Sequence, residues 1–150
     1  MTFDTHNLSD GDVQILIKKL KHPEKPLTLQ QINNAISVLF GKIEIDESVI
    51  DSDDLEYRLR IYRGNYEPER FSIHLRFKHT HHHLVRVDIN PSQTHTNPDG
   101  KIITGSHIHI YKNEPGKKDR WAIPISLSDF PDLNHIIDVY QAFISYTNIN

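Results

Sequence analysis

The spacing of apolar residues changes at Lys42, where predicted helices give way to predicted strands, and it becomes helical again near the end of the chain. Before Lys42 apolar residues recur three or four positions apart, as on one face of a helix. We predict a first helix capped by Ser9 or Asp10 and ended by 22–26, where two prolines occur. A second helix is predicted over 28–41, from a threonine cap to a closing glycine.

From Lys42 onward apolar and polar residues alternate, which is typical of strands that bury one face. The predicted strands are 43–45, 55–62, 71–78, 84–89, 106–111 and 121–126. We expect the acidic run 46–54 to form a solvated loop, and Pro124 favours an edge position for the last strand. A final helix is predicted after a cap at Ser128 or Asp129.

The order helix, helix, five or six strands, helix predicts an α+β fold. Consecutive strands with short connections are most simply arranged as an antiparallel sheet. The two N-terminal helices and the one C-terminal helix would pack on its apolar face. A length of 150 residues suits one domain, and no repeat or linker interrupts it, so residues 1–150 are expected to form a single domain.

The composition is that of an ordinary globular chain, with 37% hydrophobic and 25% charged residues. No apolar run reaches the roughly 20 residues that span a bilayer, and the first residues lack the pattern of a secretory signal. We therefore expect a cytoplasmic protein without membrane contact. The absence of cysteine excludes thiol nucleophiles and Cys-ligated zinc. A net charge of −3 provides no overall attraction to nucleic acid.

The polar alternates of the predicted strands share one face of the sheet, and arginine, histidine and tyrosine dominate it. These residues are Arg58, Arg60, Tyr62, His74, Arg76, Arg86, Asp88, His107, His109 and Tyr111. An ordinary solvated face favours Thr, Lys, Glu and Gln in mixed order, so we interpret this one as functional. The alternative, that it is a solvated face with no function, stays open.

Arginine, histidine and tyrosine together can cleave RNA without a metal ion. Histidines supply a base for the 2′-hydroxyl and an acid for the leaving oxygen, while arginines stabilise the charged phosphorane. The catalytic candidates are His107, His109, Tyr111 and His74. The substrate-binding candidates are Arg58, Arg60, Arg76, Arg86 and His95. We therefore predict a metal-independent endoribonuclease of toxin or defence type, with no cofactor and with RNA and an antitoxin as possible partners. The sequence does not indicate an oligomeric state.

Two other functions fit the same face. It could bind RNA or a partner protein without catalysis. It could instead hold a metal, because His107 and His109 lie on one side of a strand and imidazoles chelate d-block ions. Further ligands could come from His74, His95, Asp88 or Glu114. The spacing to Glu114 resembles part of the cupin metal motif, but the glycine expected after it is misplaced and no second motif follows, so no metal is predicted.

Two other segments carry histidine or positive charge. The segment 79–83 contains four histidines and is predicted to be an exposed connection that could line a groove for an anionic chain. The loop 112–120 is basic and adjoins the predicted histidine strand, where it could guide phosphate.

Three stretches of the second half carry a resemblance to a protein family. They are His95-Thr96-Asn97-Pro98-Asp99-Gly100, Gly105-Ser106-His107-Ile108-His109-Ile110-Tyr111 and Asp119-Arg120-Trp121-Ala122-Ile123-Pro124. The pattern resembles an uncharacterised family of small bacterial proteins associated with Gram-positive bacteria and mobile elements. The resemblance leaves the N-terminal helices outside it and implies no activity. It implies only an association with toxin and defence systems, in which many small toxins are ribonucleases.

Overall fold

Alternating apolar residues build one large sheet, on which the helices pack. The computed structural model describes residues 2–150. The helices are α1 (Asp10–Lys18), α2 (Thr28–Ala35) and α3 (Ile136–Tyr146), with a 3-10 helix at Ile125–Leu127. The strands are β1 (Lys21–Pro23), β2 (Ile43–Asp51), β3 (Glu56–Arg63), β4 (Phe71–Phe77), β5 (His83–Ile89), β6 (Thr94–Thr96), β7 (Ile102–Thr104), β8 (His107–Ile110) and β9 (Ala122–Pro124).

The predicted α+β class is confirmed, but the sheet is larger than the five or six strands expected. Seven strands form it in the order β1-β2-β3-β4-β5-β8-β9, and β6 pairs with β7 in a separate hairpin. The strand pairings are antiparallel throughout. β9 lies at the edge of the sheet, as Pro124 predicted. No helix among residues 2–150 is long and apolar enough to cross a membrane.

The acidic run 46–54 is largely a strand, so the predicted loop is wrong there. β2 continues to Asp51 because its polar residues face arginines of β3. Asp46 pairs in register with Arg60 and Ser48 with Arg58. Opposite charges on facing strands stabilise their pairing, so acidic residues that look like a loop in isolation complete a ladder here.

The predicted end of the second helix and the predicted start of the C-terminal helix need correction. α2 ends at Ala35 rather than 41, after Asn33 and Asn34, residues that favour turns over helix interiors. The C-terminal helix begins at Ile136. Ser128 does not cap it, because its hydroxyl donates to the Ile125 carbonyl and so closes the preceding 3-10 turn.

Most of the predicted apolar alternates lie in the core on one side of the sheet, whereas Ile123 of the edge strand β9 is exposed. Fully buried examples are Leu59, Ile61, Ile73, Leu75, Val85, Val87 and Ile108. Leu16 of α1 and Val139 and Phe143 of α3 belong to the same core. This packing leaves the opposite face of β3, β4, β5 and β8 to the polar residues.

Lys21 closes the ends of two helices. Its ammonium is fully buried and donates to four carbonyls, those of Leu16, Ile17, Lys19 and Thr147. The last carbonyls of a helix lack partners within it, so this one side chain completes the C-terminal ends of α1 and α3. Burial lowers the pKa of Lys21 to about 7.

A β-bulge interrupts the alternation in β5. Leu75 pairs with Val85, but the next residue, Arg76, pairs with His83, so Leu84 is an extra residue. Leu84 is fully buried in the core beside Val85. A bulge places two consecutive residues opposite one partner and reverses the faces beyond it, which keeps His83 on the polar side.

Candidate functional site

The strand registers confirm that most of the predicted polar residues share one face. One row across β3, β4, β5 and β8 consists of Arg60, His74, Arg86 and His109. The adjacent row consists of Tyr62, Ser72, Asp88 and His107. Arg58 and Arg76 pair on the other side of the first row. The face therefore has an arginine half on β3 and β4 and a histidine half on β5 and β8.

Tyr111 does not lie on this face, so its predicted position beside the two β8 histidines is wrong. β8 ends at Ile110, and the Tyr111 N–H donates to the carbonyl of the bulged Leu84 at 2.9 Å. The Tyr111 ring meets Phe77 edge-on in the core, with centroids 6.3 Å apart. Its hydroxyl donates to the Thr5 carbonyl. Tyr111 follows the last residue of β8, where strand alternation no longer fixes the side on which a ring lies.

Carboxylates of β2 compensate the arginine half. Asp46 accepts from Arg58 Nε at 2.8 Å and from Arg76 Nη2 at 3.3 Å. Arg60 Nη2 lies 3.7 Å from Glu44 Oε1. Phosphate binding by these arginines stays a prediction, and a phosphate there would compete with carboxylates already in contact.

His74 is held as a neutral acceptor. Its ring stacks on His83 with centroids 4.1 Å apart, and its Nε2 accepts from Arg76 Nη1 at 3.2 Å. Burial, followed by the neighbouring His83 and arginines, lowers the pKa of His74 to about 2. A neutral imidazole of this kind can position a guanidinium but carries no proton to donate as an acid at neutral pH.

Arg86 lies between two carboxylates. Its guanidinium is 2.9 Å from Asp88 Oδ2 and 3.4 Å from Asp119 Oδ2. His83 Nδ1 lies 3.0 Å from the same Asp119 oxygen. The His83 imidazole, against the opposing effect of burial, holds the pKa of Asp119 below its ordinary value.

Three histidines converge beneath the β6–β7 hairpin. His107 and His109 of β8 are each only 2% exposed. His95 of β6 lies against both, with ring centroids 5.4 Å from His107 and 4.8 Å from His109. One ring nitrogen of each lies within 4.8 Å of the others. His95, predicted as a substrate-binding loop residue, instead joins the two β8 histidines in a triad.

Asn97 fastens the hairpin over the triad. Its side-chain amide donates to the Ala122 carbonyl at 3.0 Å and accepts from the Ala122 N–H at 2.8 Å. The two bonds imitate a strand pairing between the hairpin and β9. These two bonds hold the hairpin, and with it His95, against β9.

Hydrogen bonds fix which nitrogens of two histidines are free. His107 Nδ1 lies 2.9 Å from the Gly105 carbonyl, and His95 Nε2 lies 2.9 Å from the Arg120 carbonyl. A carbonyl only accepts, so these nitrogens carry hydrogen. The lone pairs are left on Nε2 of His107 and Nδ1 of His95. Metal-bound histidines characteristically donate their other N–H to a backbone carbonyl or carboxylate.

His109 is the unsatisfied member of the triad. Both of its ring nitrogens are buried without a hydrogen-bond partner anywhere in residues 2–150. Its Nε2 lies 3.4 Å from Asp88 Oδ2, outside hydrogen-bond geometry, and His107 Nε2 lies 3.3 Å from the same oxygen. Buried polar atoms without partners are rare and costly, which makes a missing ligand the simplest explanation.

The charges around Asp88 favour a cation at this point. Burial alone would raise the pKa of Asp88, but His107, His109 and Arg86 outweigh it and hold that pKa below its ordinary value. Burial lowers the pKa of His109. Burial also acts on His107, but Asp88 and the Gly105 carbonyl raise its pKa overall. The site thus combines an ionised carboxylate with imidazoles, one of which stays neutral.

The model of a family of unknown function, DUF6978, matches residues 8–149. The chain belongs to this family. Membership of an uncharacterised family is thereby confirmed, and the match includes the N-terminal helices that the three stretches left out. That the family carries the pattern of those three stretches stays a prediction. The association with bacteria and mobile elements stays a prediction. No curated protein and no solved structure matches the chain.

Two acidic residues of this DUF6978 member were missed as parts of the polar face. Asp46 was assigned to a solvated loop, yet it holds two arginines. Asp119 lies outside the regular strands, so alternation gave no sign that it contacts Arg86. A signal for Asp46 was present in the sequence, since an acidic strand beside an arginine-rich one is complementary.

Proposed function

We propose that this DUF6978 protein is a metalloprotein that binds one divalent d-block cation through His95, His107 and His109. The observation that carries the proposal is the convergence of three imidazoles, two of them buried, of which His109 has no hydrogen-bond partner among residues 2–150. Two of the three donate the N–H of the ring nitrogen that would not bind the metal to a backbone carbonyl, the arrangement that orients metal ligands.

Asp88 is the proposed fourth ligand. Ligands about 2.0–2.1 Å from a tetrahedral ion lie roughly 3.3 Å from one another. Asp88 Oδ2 lies 3.3 Å from His107 Nε2 and 3.4 Å from His109 Nε2. Three neutral imidazoles and one carboxylate suit zinc or iron, since imidazole ligands select this part of the d-block series.

A neighbouring cavity supports a catalytic role over a purely structural one. The cavity has a volume of about 420 Å³ and is lined in part by Tyr62, Ser72, Arg86 and Asp88. It therefore meets the proposed metal site at its carboxylate. Catalytic zinc keeps a position for substrate or expands to five ligands, so a substrate in this cavity would reach the ion as a further ligand beside Asp88. The cavity volume falls within the range of small-molecule sites. A metal-dependent enzyme acting on a small molecule is the function we propose.

Metal content tests the proposal directly. The chain is stripped with chelator, reloaded with zinc, dialysed and analysed by mass spectrometry of the metal. We expect about one ion per chain, and its loss in His107→Asn, His109→Asn and His95→Asn.

The control removes three of the four histidines of segment 79–83, which resembles a metal-affinity tag. His79→Asn, His81→Asn and His82→Asn are combined in one variant, and asparagine tolerates the left-handed backbone of His81, whose φ is 64°. This variant should keep its ion. Failure of the wild-type chain to retain metal, or loss of the metal in the turn variant alone, would contradict the proposal.

The metal-independent endoribonuclease remains a separate prediction. Its acid and base would be two imidazoles that are each 2% exposed, so RNA could reach them only after the β6–β7 hairpin opens. Cleavage of RNA in EDTA that His107→Asn abolishes would support it. Cleavage that requires added metal would instead identify RNA as the substrate of the proposed metalloenzyme.

A further inference from the structure

A second cavity lies where two basic segments meet, away from the triad. β5 begins at His83 and its antiparallel neighbour β8 ends at Ile110, so the turn 79–82 and the loop 112–120 lie at the same end of these two strands. Between them is a cavity of about 180 Å³. Its lining is His81, His82, His83, Arg86, Lys117, Lys118 and Asp119.

Positive charge predominates in this lining. Arg86, Lys117 and Lys118 face the single carboxylate of Asp119, and that carboxylate is already 3.4 Å from Arg86 and 3.0 Å from His83. Within the described chain, 2–150, no carboxylate forms an ion pair with Lys117 or Lys118. Two ammonium groups therefore lack a counter-charge.

The position of Lys118 strengthens this point. Lys118 is only 8% exposed. Its ammonium donates to the Glu114 carbonyl at 2.5 Å and contacts Asn113 Oδ1 at 3.3 Å, and both acceptors are neutral. Buried charges in proteins are ordinarily paired with an opposite charge. Lys21 has four carbonyl partners, whereas Lys118 has only two neutral acceptors and lines a cavity, so an anion there can complete its contacts.

The cavity is large enough for a tetrahedral oxyanion. One water occupies about 30 Å³ of liquid volume, so 180 Å³ exceeds the space of a phosphate and leaves room for water. Lysine ammonium groups bind phosphate as point charges, and arginine and histidine add directed donors.

We propose that this cavity binds a phosphate group, either as free phosphate or as the phosphoryl group of a larger ligand. The site uses neither His95, His107 nor His109, although its Arg86 also contacts Asp88. Lys118 and Lys117 supply the charge, and Asp119 holds Arg86 and His83 in position beside them. The proposal gives a role to both the histidine-rich segment 79–83 and the basic loop 112–120.

Titration of the full chain with inorganic phosphate tests the site, with sodium chloride used to keep ionic strength constant. Binding is followed by amide chemical shifts. We expect saturable shifts around 81–83 and 117–119, at least about threefold weaker binding in Lys117→Ala and a larger loss in Lys118→Met. Lys117 is exposed, so its variant leaves the fold intact even if Lys118→Met does not.

Lys112→Ala is the matched control. Lys112 belongs to the same loop, but its ammonium lies over the Trp121 ring, 4.0 Å from the centroid, and does not line the cavity. Its loss should leave phosphate binding unchanged. Absence of saturable binding in the wild-type chain, or equal weakening by Lys112→Ala and Lys117→Ala, would overturn the proposal.

Competition identifies the source of the phosphate. A short single-stranded RNA is added to the phosphate-saturated chain. If the RNA displaces phosphate from 81–83 and 117–119, the site accepts phosphodiesters. If it does not, the site takes free phosphate or a small phosphorylated molecule. Both results support a phosphate site, and His109→Asn should change neither.

Discussion

The Lys21 ammonium and the His109 imidazole are both deeply buried, but their surroundings differ completely. Lys21 donates to four backbone carbonyls at the ends of two helices. His109 lies on the opposite side of the sheet with neither ring nitrogen bonded to any residue of the described chain. Removal from water destabilises both groups, but only Lys21 has hydrogen-bond partners within the fold that offset part of this cost.

The comparison separates a structural role from a binding role. A buried polar group with every partner present contributes to stability, because its removal leaves those partners unsatisfied. A buried polar group without partners contributes nothing that an apolar residue of similar size could not. Its retention indicates a ligand that completes it, and the two neighbouring histidines and Asp88 suggest that the ligand is a cation.

Replacing Lys21 with methionine should produce the largest effect. The variant leaves four carbonyls without their donor, and each buried unsatisfied acceptor costs about 1–3 kcal/mol. We expect the free energy of unfolding in urea to fall by about 4 kcal/mol, with metal content unchanged. If the free energy of unfolding fell by less than about 1 kcal/mol, the carbonyls would have found other partners, and Lys21 would not differ from His109 in its role.

Zinc should stabilise the chain through the histidine triad. At a free zinc concentration a hundred times the dissociation constant, the free energy of unfolding rises by about 2.7 kcal/mol. Thermal unfolding with and without zinc measures this difference. The shift should vanish in His109→Asn and persist in Lys21→Met. A shift of equal size in both variants would place the bound ion elsewhere.

Stability should increase with pH above 7 because of Lys21. Burial lowers its pKa to about 7 in the folded chain, while an unfolded lysine titrates near 10.4. Between these values the unfolded chain binds a proton that the folded chain releases, so the free energy of unfolding rises by up to about 1.4 kcal/mol per pH unit. Denaturant titrations from pH 7 to 9 measure the slope. Lys21→Met, stabilised with zinc, should show a flatter slope.

Removing the unsatisfied imidazole should cost the metal-free chain little. His109→Leu replaces two unbonded nitrogens with apolar atoms, and the free energy of unfolding should stay level or rise by about 1 kcal/mol. His107→Leu is the control, since it breaks the bond to the Gly105 carbonyl and should lower that free energy by a similar amount. Calorimetry of both metal-free variants makes the comparison. A clear destabilisation by His109→Leu would show that the imidazole serves the fold.

Alternation alone predicted much of the polar face. Arg60, His74, Arg86 and His109 were assigned to one side from period two, and the registers align them in one row. That inference works because a strand buried on one face must alternate. It failed at Tyr111, because β8 ends at Ile110 and nothing in the local pattern marks that end.

The triad itself required the fold. His95 precedes β8 by a dozen positions and reaches it only because a hairpin folds back over the sheet. The prediction of an arginine-lined phosphate face failed to anticipate Asp46 and Asp119, which come from a neighbouring strand and a loop. Long-range pairing decides which charges meet, and the period of one strand carries no information about it.

The two hydrogen bonds between Asn97 and Ala122 affect how fast a bound metal would exchange. On the proposed function, an ion bound by His95 and the β8 histidines leaves most readily when the hairpin that carries His95 separates from the sheet. Asn97 opposes that separation with two hydrogen bonds to Ala122. The residence time of the metal is then governed by how often the hairpin opens, so exchange with other metals in solution would be slow even when they bind as tightly at equilibrium.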